Sequence, residues 1–237
     1  MLFHDVDLQV RGGERIALIG DNGTGKSTLI KMLMEEEYPD EGKIKFGPSV
    51  RIAYLPQIVE FDVPERNLVD TMLYSKRNIT PQSARNRLAA FHFTGEDVFK
   101  SVSVLSGGEL SRIMLAIKNI VARYDVIDTL IFDEIDTGIS GRTAQKVSEK
   151  MAQIGQRHQV ICITHLPQIA AMADSHFEIE KNVEENETVT SIHPLSEEDS
   201  VRELARMLGG AKITDSVLAN ASEMKELAQV QKSARLK

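Results

Sequence analysis

A chain of 237 residues, 42% hydrophobic and 27% charged, has the composition of an ordinary globular protein with core enough for one large domain or two small ones. Its net charge of −7 argues against a broad nucleic-acid-binding surface, though a local basic patch is still compatible with it, and no apolar run approaches a membrane span. The start reads as free of a signal peptide and the single cysteine, Cys162, reads as a core residue of Val160-Ile161-Cys162-Ile163, so the expected location is cytoplasmic.

From Leu2 to Val10 apolar and polar residues alternate, which predicts a half-buried strand. Arg11-Gly12-Gly13-Glu14 turns the chain into the apolar run Ile16–Ile19, and Leu29–Met34 then carries a helical pattern. Pro39-Asp40-Glu41-Gly42 is a second turn, after which Lys43–Phe46 alternates and Arg51–Leu55 forms a short strand ending at Pro56-Gln57. Residues 65–104 are helical in pattern, with helices from Asn67 to Tyr74 and from Pro81 to Phe91. Thr80 and Pro81 supply the cap and first turn of the second. Leu105-Ser106-Gly107-Gly108-Glu109 opens a further helix with apolar residues at Ile113, Leu115, Ala116, Ile117, Ile120 and Val121. Thr129–Glu134 is a buried strand ending in two carboxylates. A helix from Gly141 to Gln156 leads to the strand Val160–Ile163, closed by Thr164-His165. Glu184-Glu185-Asn186-Glu187 reads as a hairpin turn between edge strands. The tail at 196–237 is helical from Ser196 to about Gln231 and broken at Gly209-Gly210. Strand and helix alternate, so the whole of 1–237 is expected as one α/β domain around a mainly parallel sheet, with 65–104 as a helical insertion.

Gly20-Asp21-Asn22-Gly23-Thr24-Gly25-Lys26-Ser27-Thr28 lies between a strand and a helix, the context in which G-x-x-x-x-G-K-S/T means a phosphate loop. Its glycines let the backbone curl so that N–H groups face an anion, at a helix N-terminus that adds partial positive charge. Lys26 is expected on the β- and γ-phosphates and the Ser27 hydroxyl on Mg²⁺. The loop therefore reads as a nucleoside triphosphate site. Four more elements follow. Gln57, just past a strand, could bind Mg²⁺ or orient water. Ser106 with Glu109 makes a capping box, and the same helix start suits an anion. Asp133 would hold Mg²⁺ through water and Glu134 would polarise the attacking water. His165, ending the next strand, could sense the γ-phosphate.

In order and spacing these residues resemble the ATP-binding-cassette (ABC) ATPases over nearly the whole chain. The resemblance names a Walker A loop at 20–28, Gln57 as Q-loop, LSGGE at 105–109, Walker B at 129–134 and His165 as switch. It implies a P-loop NTPase fold, a mainly parallel core sheet with an antiparallel β edge, and Mg²⁺-dependent ATP hydrolysis. It also implies an ATP-dependent head-to-tail homodimer, in which Ser106, Gly107 and Gly108 of one copy clamp ATP held by Lys26 of the other. Asp136 would be the D-loop residue communicating across that interface.

Within the superfamily the two halves differ. Gly20–Thr28, Tyr54-Leu55-Pro56-Gln57 and Thr80–Arg85 resemble an ABC-F ATPase domain, of the translation-factor class. Leu110–Ala116, Ile131–Gly141, Thr164–Ala170 and Arg202–Gly210 resemble the RecN family of bacterial DNA-repair ATPases. An ABC-F protein would carry Pro-Thr-Asn after the Walker B glutamate, where this chain has Ile135-Asp136-Thr137. The expectation is a chimera joined at LSGGE, acting with DNA or DNA-repair partners. The rivals are a ribosome factor, a transporter's ATP-binding subunit, and a nucleotide-binding dimerisation module without turnover. An adenine-stacking aromatic is not evident, Phe3 being a weak candidate.

Overall fold

The computed structural model describes residues 3, 6–48, 50–57, 61–75, 79–106, 109, 113, 127–136, 139, 141–184, 187–210 and 212–234. Strands β1 (Arg15–Ile19), β2 (Ile52–Leu55), β3 (Thr129–Asp133), β4 (Gln159–Ile163), β5 (Ser175–Glu184) and β6 (Glu187–Pro194) form one sheet in the order β2-β3-β4-β1-β5-β6. The first five are parallel, and β6 returns antiparallel along β5. This is an α/β P-loop fold with an antiparallel edge pair. The central strands are covered on both faces, which is why RIALI, TLIFD and QVICI are near-continuous apolar runs and not alternating ones.

Each face has its own cover. Ile16, Leu18, Ile131 and Ile163 pack with Leu29 and Ile30 of α1 (Lys26–Leu33). On the other face, Leu130, Phe132, Val160 and Cys162 meet Val147, Met151 and Ile154 of α4 (Gly141–Ile154). Helices α2 (Leu68–Ser75) and α3 (Pro81–Ala89) join that second core through Leu68, Met72, Ala84 and Leu88. Asn67 caps α2 by accepting the Asp70 N–H at 2.8 Å. Thr80 caps α3 by accepting from Ser83 at 3.2 Å, with Pro81 in the first turn, as the sequence predicts. Burial raises the Cys162 thiol well above its ordinary value, in keeping with a core residue.

Ala17 and Ile19 of β1 point to the tail. Helix α5 (Pro167–Ala170), α6 (Glu197–Gly209) and α7 (Asp215–Ala234) close on them through Ala170, Ala173, Leu204, Ala205, Ala221 and Ala228. Small side chains at these positions allow the helices to approach the sheet closely. The break at Gly209-Gly210 is real: Gly210 has φ +67, and its N–H closes α6 on the Arg206 carbonyl.

Two predicted strands are not formed. Residues 6–10 and 43–47 are irregular, and Phe3 makes only an isolated bridge to Thr190. Their alternation is present, but the ladder partner a strand needs is missing among the described residues. Val6, Ile44 and Phe46 stay more than a third exposed. Between them and Ile16, Leu18 and Ile161 lies a cavity of about 250 Å³. Phe3 packs against this side of the core. Gly107, Gly108, most of the helix expected after Glu109, and the turn residues 185 and 186 lie outside the described residues; Ile113 is described and fully buried.

Candidate functional site

Parallel strands present all their C-terminal ends at one edge of the sheet, so the connections leaving β1, β2, β3 and β4 gather there. Those connections carry the phosphate loop, Gln57, Asp133-Glu134 and Thr164-His165. The loop's curl depends on its glycines. Gly23 and Gly25 have φ +81 and +102, and a Cβ on Gly20 would sit 2.3 Å from the Ile179 carbonyl oxygen of β5. Thr24 ties the loop to itself, donating through Oγ1 to the Asp21 carbonyl at 2.9 Å.

Lys26 is 7% exposed, and its ammonium donates to the carbonyls of Gly20 (2.8 Å) and Asp21 (2.7 Å). It is folded into the curl of its own loop. Burial lowers its pKa, opposed by the fields of Glu134, Asp21 and Asp133. Asn22 is exposed, as are Asp21 and Ser27, and Thr28 is half-buried.

The acidic wall is built from β2 and β3, whose register sets Leu55 beside Phe132. Asp133 is 4% exposed and accepts the Tyr54 hydroxyl at 2.9 Å. Burial raises the Asp133 carboxyl above its usual range, the Tyr54 bond pulls it back, and the Tyr54 phenol itself is pushed up by burial and by Asp133. Glu134 has φ +45, a left-handed conformation that costs a non-glycine residue on the order of 1–3 kcal/mol. Its N–H is held by the Ile163 carbonyl at 3.0 Å, and Oε2 accepts Gln57 Nε2 at 2.6 Å. So Gln57 meets Glu134 directly.

Asp136 faces inward. It has no exposed surface, and Oδ2 accepts Thr164 Oγ1 (2.5 Å), His165 N (3.2 Å) and Leu166 N (3.1 Å). Its carboxylate therefore fixes the loop bearing His165 in the same chain. The His165 ring is 59% exposed, with Nδ1 3.5 Å from Asp136. Ser106 directs both its N–H and its hydroxyl to Glu109 Oε2, at 2.9 and 2.7 Å. Half of the expected capping box is thus present.

The family model for the ABC transporter matches residues 3–137. The chain belongs to the ABC transporter family. Among curated relatives, the DNA repair protein RecN of Bacillus subtilis (strain 168) is 47% identical over 131 residues, 55% of this chain and 23% of that protein. RecN of Haemophilus influenzae is 49% identical over 52% of this chain and 22% of its own length. This ABC chain thus spans about a quarter of the length of the curated relatives it matches. Among solved structures, an archaeal ribosome recycling factor in complex with a ribosomal stalk protein superposes with TM-score 0.63 at 25% identity. The match covers 84% of this chain and 38% of that one.

ABC ATPases use ATP and Mg²⁺, and the residues present fit them. The loop turns on glycines, with a Cβ at Gly20 excluded by the Ile179 carbonyl of β5, and the buried Lys26 ammonium donates to the loop carbonyls of Gly20 and Asp21. A carboxylate, an amide and a hydroxyl, on Asp133, Gln57 and Ser27, are hard oxygen donors of the type Mg²⁺ takes. Sequence reasoning missed Tyr54 as the partner of Asp133 and Thr164 as the partner of Asp136. Tyr54 was readable only as a strand residue, because its role depends on pairing across to β3. Among the described residues no helix is long and apolar enough to cross a membrane.

Proposed function

We propose that this ABC ATPase domain is a cytoplasmic head that hydrolyses Mg·ATP at two composite sites of an ATP-driven homodimer, in the service of DNA repair. The observation that carries the reading is the convergence of Lys26, Asp133, Glu134 and Gln57 around the curled loop at one sheet edge. On this reading residues 20–28 hold the phosphates, and Lys26 exchanges its loop carbonyls for phosphate oxygens. Ser27, Gln57 and Asp133 would hold Mg²⁺, which when bound neutralises charge on the phosphate oxygens. Glu134 takes the proton of the attacking water as general base, oriented by Gln57 and by its ladder bond to Ile163. His165, held by Asp136, is the switch. Ser106, Gly107, Gly108 and Glu109 of the second copy complete the site, and Asp136 connects the copies through the His165 loop.

DNA repair is favoured by the RecN likeness, whose 131 matched residues are close in number to the segment from Leu105 onward. On the motif resemblances, the proposal includes a chain of two lineages joined within LSGGE, an ABC-F-like first half and a RecN-like second half. A continuous native gene read across codons 100–115 would remove a constructed origin. The second reading, a factor acting on the ribosome, is favoured by the recycling-factor likeness over most of the chain. Stimulation of phosphate release by duplex DNA and not by ribosomes supports the first reading, and the opposite result moves the protein to the second. For the chemistry, Glu134→Gln is expected to keep ATP binding and slow turnover by ~10²–10⁴-fold, the usual worth of a general base. Unchanged turnover would remove Glu134 from that role.

A further inference from the structure

The tail segment Arg202–Gly210 has no place in the chemistry above, yet one of its side chains reaches the nucleotide loop. Arg206 of α6 lays its Nε and Nη2 on the carboxylate of Glu203, both at 2.7 Å. Glu203 is nearly buried, at 7% exposure, so this two-point bond fixes the plane of the guanidinium. The remaining nitrogen, Nη1, lies 3.5 Å from Asp21 Oδ1, in the loop itself. Burial and neighbouring acids at Glu180 and Glu203 raise the Glu178 carboxyl, and Arg206 and His193 act against that rise. His193 Nε2 is 3.5 Å from Glu178. Arg206 is therefore shared between Glu203 of its own helix and Asp21 of the loop, and its charge also reaches Glu178 on β5. Acids so placed oppose the binding of a polyphosphate unless they are neutralised.

We infer that Arg206 is a positioning residue of the triphosphate loop: clamped by Glu203, it neutralises and holds Asp21, and so makes the tail helix α6 part of the nucleotide site. This rests on the reading of residues 20–28 as a triphosphate site. Its ligand class is the polyphosphate of a nucleotide, and it acts on affinity and not on the proton-transfer step. The loop is already pinned from β5, where the Ile179 carbonyl leaves room only for a glycine at position 20. Arg206 adds a second, electrostatic hold from the neighbouring helix. A signal could then pass in either direction between nucleotide occupancy and the tail.

The test is the dissociation constant of a fluorescent ATP analogue with Mg²⁺, measured on the full chain at about 0.05 M and about 0.5 M salt. Arg206→Ala is expected to weaken binding by roughly three- to tenfold at low salt and by less at high salt, as a partly exposed ion pair requires. Arg206→Lys restores part of the loss, since it keeps the charge without the planar fork. In an Asp21→Asn background the Arg206→Ala effect is expected to shrink to less than about twofold. An effect of undiminished size in that background would overturn the route through Asp21. Wild-type affinity in Arg206→Ala, with or without a lowered melting temperature, would overturn the inference alone. Failure of the wild-type chain to bind the analogue would overturn the loop's assignment together with it.

Discussion

Asp136 holds three hydrogen-bond donors of the 164–166 loop on one oxygen, and its other oxygen is buried with no partner among the described residues. Removing the carboxylate leaves Thr164 Oγ1 and the His165 N–H without this acceptor, while the Leu166 N–H keeps its bond to Thr164 Oγ1 at 3.1 Å. Asp136→Ala is expected to cost about 1–3 kcal/mol in urea unfolding and to lower turnover, because His165 is carried on the released loop. Wild-type stability and turnover would show that the loop holds itself. The residue was legible from its place after Walker B, but its direction was not. Sequence position suggests a D-loop residue; the parallel pairing of β3 with β4 brings residues 164–166 over its carboxylate. Lys26, Asp133 and Glu134 were legible because a phosphate loop and an apolar strand ending in acids are local patterns. Tyr54 and Arg206 were not, since each acts on a residue far away in the chain, Asp133 and Asp21 respectively.

At the scale of elements, the tail helices are latched to the sheet by a chain of buried polar groups. Lys225 Nζ donates to Ser200 Oγ at 2.6 Å, Ser200 bonds His176 Nδ1, and His176 Nε2 meets the Ala170 carbonyl at 2.7 Å. A carbonyl at Nε2 requires the proton there, so Nδ1 accepts from Ser200 and the imidazole is neutral. Burial lowers the His176 pKa below its ordinary 6.5, aided by Lys225 and Lys232 and opposed by the Ala170 bond and Glu197. Below it, Asp174 takes three bonds from Arg15, one of them from the backbone N–H, and one from Lys232, and the side-chain bonds outweigh burial and hold its carboxyl below 3.8. Both groups have depressed folded values, so the unfolded chain binds more protons on acidification. The latch is therefore at full strength above pH 6.5, weakens as His176 titrates below it, and is lost further once pH falls through the folded value of Asp174. The melting temperature is expected to fall from pH 6.5 downward, and His176→Gln to flatten the first part of that fall. A melting temperature constant from pH 7 to 5 in the wild type would contradict the latch.

Helix elements were legible here through caps and glycines, at Thr80-Pro81 and Gly209-Gly210, whose chemistry is local. Strands 2–10 and 43–46 were not, because alternation states which side chains face inward but not whether a neighbouring strand exists. Their apolar residues instead border the 250 Å³ cavity, against strand residues such as Ile131 and Ile161 from beyond LSGGE. On the two-lineage reading, that is where residues of the two halves meet.

At the scale of the molecule, each copy offers a phosphate loop and its acids on one edge, and its LSGGE serine with Glu109 at a separate helix start. The order of these elements is legible in the sequence, because every one is a short motif on a predictable strand or helix. The proposed completion of the catalytic sites between copies decides how the whole molecule works. It is tested most directly by phosphate release from Mg·ATP across a range of protein concentrations, with Glu134→Gln as the blank. Specific activity is expected to rise with concentration and then level off as dimers fill. Specific activity that is independent of concentration in a protein shown to be monomeric, or no release above the blank in a folded protein that binds ATP, would contradict it.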